Sequence, residues 1–238
     1  MHYLLVGTLT LFVSLSIKAQ QIKVYNGREN IFPSSWLEKP IKAKASIANA
    51  ESVKVDTLEI TKAFGVYPDE LLQKNISTIF VAGTIRCYGV SYYGTNSNKN
   101  IYIALQGNQE VLQTFHHEFS SILLRNYPAY FNKTAWLRLS PELFNTSSAK
   151  AIKAGYSQTV FDSSMLAKGY ISSYSLSNYE NDFNLYAEHL LSGSKTFWEY
   201  VDRYEKIRKK TDLIIEFYHK LNPLFGEGYF RALAKTLS

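Results

Sequence analysis

Apolar positions along this chain recur first at strand spacing and later at helix spacing. Ser77-Thr78-Ile79-Phe80-Val81-Ala82-Gly83 predicts a strand. Ile85 to Tyr93 predicts a second extended stretch between Gly83 and Gly94, and Ile101-Tyr102-Ile103-Ala104-Leu105 a third. Gly94-Thr95-Asn96-Ser97-Asn98, between the last two, has turn chemistry. Residues 20–50 read as irregular, with Asn26-Gly27 and Phe32-Pro33-Ser34-Ser35 as turn or loop signals, and Pro68-Asp69-Glu70-Leu71-Leu72 opens a helix.

After these strands the period changes. From Asn108 or Gln109 to about Asn126, Leu112, Phe115, Phe119, Ile122 and Leu123 recur every three to four residues, and Pro128 forbids simple continuation. Residues 134–168 read as a long loop with a short helix. Tyr179 to Leu191 predicts a helix with Phe183, Tyr186, Ala187 and Leu190 on one face, and a last long helix runs from Thr196 to about Leu221, stopped by Asn222-Pro223. Strands followed by helices predict an α+β fold, with a sheet part to about residue 107 and a helical part from about residue 108.

Composition changes this picture at the N-terminus. The apolar run from Tyr3 to Ile17 ends at Lys18-Ala19-Gln20, the pattern of an export leader, so residues 1–19 are expected to be removed and 20–238 to form one domain. The run is too short to predict a membrane anchor, and the mature chain is expected outside the cytoplasm, periplasmic or extracellular. The 18 Tyr and 14 Phe suit half-buried clefts and the outer surfaces of an exported protein rich in strands. The net charge is +6, but the basic excess around Arg203–Lys210 is interleaved with acids, which predicts a solvated helix face and no nucleic-acid partner. The lone cysteine, Cys87, excludes an internal disulfide and reads as a small buried residue.

The chemistry sits on the first long helix. With Phe119 at the centre of the apolar stripe and about 100° per residue, His117 and Ser121 fall opposite it, within about 40° of each other, with Glu118 beside His117. His116 falls at the stripe's edge and is expected to be structural. Zinc hydrolases place two imidazoles one turn apart on one metal, with an intervening glutamate that handles the proton of the bound water. Here His117 and Glu118 hold the first two roles, and Ser121, a poor zinc ligand, stands at the second imidazole position. A satisfied polar patch is the alternative reading of the same triplet. Ser120-Ser121 beside His117 supplies neither an oxyanion hole nor a third partner for serine catalysis, and GxSxG, phosphate-loop and CxxC motifs are absent.

Thr114-Phe115-His116-His117-Glu118-Phe119-Ser120-Ser121-Ile122-Leu123 resembles the zinc helix, HHEFxHIL, of a family of exported bacterial zinc-binding metallopeptidases. Lys168-Gly169-Tyr170-Ile171-Ser172-Ser173-Tyr174-Ser175 is similar to the family's GFVxxYA segment, and Asn181-Asp182-Phe183 to its EDF. The resemblance covers about residues 65–220. It implies a zincin-like, gluzincin-type architecture. An edge strand, expected to end at Ile101-Tyr102-Ile103, borders the substrate cleft above the metal helix, and a second helix brings a carboxylate ligand. The implied cofactor is zinc, in an incomplete site: Ser121 replaces the second histidine, and Asn181 replaces the ligand glutamate unless Glu180 takes that role. Glu188, Glu180 and His116 are the residues that could compensate, and Tyr174 or a neighbouring tyrosine could stabilise an oxyanion. Three functions remain open. One is a peptide hydrolase with Glu118 as base and His117 with Glu180 or Glu188 as metal ligands. The others are an inactive relative that binds a peptide or protein partner at the cell envelope, and a glycan-binding module that uses tyrosines.

Overall fold

The computed structural model describes residues 21–108 and 110–236, so the leader expected at residues 1–19 lies outside the described residues. The stretch expected to be irregular contains strand β1 (Gln21–Val24), helix α1 (Ser34–Leu37) and strand β2 (Lys44–Ala45). β1 is held by tertiary pairing, parallel to β3 (Thr78–Ala82), which its own short sequence does not announce. Helix α2 (Ala50–Phe64) then leads to α3 (Asp69–Asn75), which starts just after Pro68 as the sequence predicts.

The extended stretch from Ile85 to Tyr93 is two strands, β4 (Ile85–Cys87) and β5 (Val90–Tyr92), folded back at Tyr88-Gly89, where both residues have positive φ. The segment with turn chemistry is itself a strand, β6 (Gly94–Asn96), antiparallel to β7 (Asn100–Ala104). The main sheet has the order β1-β3-β7-β6 and the smaller one β2-β4-β5. β7 is therefore an interior strand, and β6 is the edge beside it. The period of two along β3 and β7 serves two cores. Ile79, Val81, Ile101 and Ile103 pack into the helical core with Phe115 and Phe119. Ala82, Tyr102 and Ala104 face Phe32, Ile85 and Cys87. Burial raises the Cys87 thiol to about 11, as suits a packing residue.

Beyond the sheet come α4 (Val111–Asn126), three short helices α5 (Lys133–Leu139), α6 (Ser148–Lys153) and α7 (Ser163–Leu166), and α8 (Tyr179–Leu191). α8 has the predicted bounds. Asn178 caps its start, accepting from the Asn181 backbone N–H at 2.9 Å. The last long helix is instead two, α9 (Lys195–Arg203) and α10 (Glu205–Leu221), broken where Tyr204 turns extended, and α11 (Glu227–Thr236) follows the Asn222-Pro223 stop. The architecture is mixed α+β, with helices on both sides of the strand segment in sequence. No helix among the described residues is long and apolar enough to cross a membrane.

Candidate functional site

The face of α4 that points away from its apolar stripe is not open to solvent. α8 lies against it, and ten consecutive positions of α8, Asn181–Leu190, are buried together with Leu191. Three polar pairs cross the contact. His117 Nδ1 meets Glu188 Oε2 at 2.8 Å, Asn184 Nδ2 donates to Ser121 Oγ at 2.6 Å, and Arg125 donates to Glu180 Oε1 at 2.7 Å. Four-residue steps up α4 meet four-residue steps down α8, which is the register of an antiparallel pair. The ladder runs from buried to exposed. Glu188 and Ser121 are buried, whereas Arg125 lies at the solvent end.

The sheet completes the site. Gly94 of β6 rests on α4 so closely that a Cβ there would lie 2.7 Å from both Glu118 Oε1 and Thr114 Cγ2, so only glycine allows this approach. Two residues on, Asn96 donates to Glu118 Oε2 at 2.5 Å and accepts from Arg125, which links the carboxylate to the outer end of the ladder. The segment resembling GFVxxYA brings Tyr174 over His117, the two rings stacked at 6.4 Å. Its Gly169 carbonyl accepts from buried Lys210, which also pairs with Asp182 at 2.7 Å.

These elements line a cleft of about 1090 Å³ between the β4–β5 hairpin, the start of β6, α4 and the 157–160 loop, with His117, Glu118, Tyr174 and Glu188 in its wall. Burial pushes the Glu188 carboxyl up to about 7, against the opposing pull of His117. Burial alone would lower His117, but the hydrogen bond and charge of Glu188 outweigh it, so its affinity for a proton is raised. Burial also raises Glu118, opposed by His117, Asn96 and Arg125. The site thus holds protons more readily than free side chains would.

The residues singled out in the sequence are distributed as follows. His117, Glu118 and Glu188 share the cleft. Glu180 is two turns away from Glu188 and engaged by Arg125. His116 points into the core, where its Nδ1 meets the Tyr67 hydroxyl at 2.8 Å and burial lowers it to about 3, so the ring is neutral. Asn181 spends its amide on Ser148 and Ser177, at 3.0 and 2.7 Å. Asn184, which sequence reasoning passed over, is the residue facing Ser121. Its signal was its place midway between Glu180 and Glu188, four residues from each, as Ser121 lies four residues from His117 and from Arg125. Its Oδ1 is buried without a partner.

A zinc hydrolase needs three protein ligands and one open position. His117 offers an Nε2 with no hydrogen-bond partner among the described residues, but the Ser121 hydroxyl is held by Asn184 and the Asn181 amide by two serines. No three His, Cys, Asp or Glu side chains form a metal-holding group among the described residues. The side chains at the expected ligand positions therefore do not fit a zinc ion.

No curated protein and no solved structure matches this chain. A family profile does: residues 71–221 match the family described as "putative zinc-binding metallo-peptidase". That span is more than half the chain and contains α4, the cleft wall and α8, and the chain belongs to this family.

Proposed function

We propose that the protein is an exported, zincin-like member of the family that does not hydrolyse, and that it holds an extended peptide, or a segment of a protein partner, in the cleft beside His117 and Glu118. The observation that carries this reading is the Asn184–Ser121 hydrogen bond. It closes the place of the second zinc histidine with a short neutral contact, while the Glu188 carboxylate is spent on His117 Nδ1. Two features support a peptide as occupant. Among the described residues β6 is the edge of its sheet, and its hydrogen bonds to β7 direct the backbone groups of Gly94 and Asn96 outwards, as strand addition requires. The cleft opens beside Gly94, with exposed Tyr93 and Val160 at its rims, 56% and 55% accessible. Export rests on the apolar run from Tyr3 to Ile17.

The test is to incubate the purified protein with a peptide mixture and analyse bound and free fractions by mass spectrometry, with and without a zinc chelator. The expected result is retention of peptides without cleavage, indifferent to the chelator. Chelator-sensitive cleavage lost in Glu118→Ala would contradict the reading. It would favour the hydrolase instead, for which the free His117 Nε2 and the proton-holding Glu118 speak.

A further inference from the structure

The charge of the cleft runs against the charge of the protein. The chain carries a net +6, yet the residues lining the cleft include Glu110, Glu118 and Glu188 against a single permanent cation, Arg86. Arg86 is exposed and donates to the Gly89 carbonyl at 3.0 Å within its own hairpin. The imidazole of His117 is engaged by Glu188. Glu110 forms no ion pair among the described residues. Glu118 is 7% exposed, and only its Oε2 is bonded, to Asn96. Its Oε1 accepts from no described residue and keeps surface in the cleft. A carboxylate oxygen in a residue so little exposed is poorly hydrated, and a ligand that brings an N–H donor to it gains a charge-assisted hydrogen bond. The walls beside it are rings, Tyr92 and Tyr174, which suit the aliphatic stem and the charge of a basic side chain.

Building on the peptide-binding reading, we propose that the cleft selects a peptide carrying a lysine or arginine side chain, seated with its charged end against Glu118 Oε1, with Glu110 adding to the negative charge of the cleft. A neutral side chain fills the same space and leaves Glu118 Oε1 unpaired. An acidic one adds a fourth carboxylate.

The test is fluorescence anisotropy on the whole protein with short labelled peptides that differ only at the central residue: lysine, norleucine or glutamate. The lysine peptide is expected to bind about ten-fold tighter than the norleucine peptide, as for a charge-assisted hydrogen bond, and the glutamate peptide weakest. Glu118→Gln brings the lysine-to-norleucine ratio towards one, and Glu110→Gln lowers it. Glu216→Gln, on the far surface of α10, leaves the ratio alone. Should Glu118→Gln fail to fold, Glu110→Gln, just ahead of α4, carries the test. Equal binding of lysine and norleucine peptides overturns the selectivity and leaves peptide binding standing. No binding of any of the three overturns both.

Discussion

Helix α8 buries polar groups on two sides and solves the problem differently on each. Towards α10 it presents Asp182, whose Oδ2 accepts from Lys210 Nζ at 2.7 Å, Trp136 Nε1 at 2.9 Å and Ser140 Oγ at 3.2 Å. Lys210 is fully buried and lies over the rings of Trp136, Tyr170 and Tyr186. That is a charge-matched ion pair with Oδ2 hydrogen-bonded three times, while Asp182 Oδ1 is buried without a hydrogen-bond partner among the described residues. Towards α4 the same helix presents Glu188, Asn184 and Glu180, and the middle rung, the one at the expected zinc position, is neutral. The contrast shows where charge has been kept. It persists where it locks the second helix and the Gly169 loop to the scaffold. At Ser121 and Asn181, where the family resemblance implies ligands that a metal would satisfy, amides and hydroxyls satisfy one another. The polar side chains of this interface are spent largely on one another.

Breaking the ion pair should have the largest effect. Lys210→Met strands Asp182 in the core and should cost about 3–5 kcal/mol by urea unfolding. The double variant with Asp182→Leu should recover much of that loss. A milder test breaks the neutral rung. Ser121→Ala leaves the Asn184 amide without its acceptor and should cost about 1–3 kcal/mol. If it costs nothing, the ladder contributes nothing to the interface.

The His117–Glu188 rung can be examined through pH. Glu188 sits near 7 in the folded protein against an ordinary 4.5, and His117 is raised above 6.5. Both bind protons more tightly folded than unfolded, so their stabilisation is full below about pH 4.5 and is lost as the pH rises through 7. The gap in unfolding free energy between wild type and Glu188→Gln, measured by urea denaturation, should therefore narrow from pH 5 to pH 8, by on the order of 1 kcal/mol. A widening gap contradicts the assignment. The smallest effect belongs to the exposed rung: Arg125→Ala should cost below about 1 kcal/mol and vanish in high salt.

The same contrast explains what could be read from the sequence. Elements with a strong period of their own, α3, β3, β7, α4 and α8, are legible there because their apolar positions repeat within the element itself. β6 was not, because Gly94, Thr95 and Asn96 form a strand only through β7 and through the close approach that Gly94 allows. β1 depends on β3 in the same way, and the break at Tyr204 between α9 and α10 carries neither Gly nor Pro to mark it. In the cleft, His117, Glu118 and Glu188 could be named from helical spacing. Their relation to Ser121 could not, because that requires the register of two helices far apart in sequence, and the residue that fixes it, Asn184, has no motif of its own.

If the ladder between α4 and α8 stands in place of a metal centre, equilibrium dialysis against micromolar zinc followed by elemental analysis will show it. Wild type should retain well below one zinc per chain, no more than His117→Ala retains. One zinc per wild-type chain, lost in His117→Ala, would contradict the account.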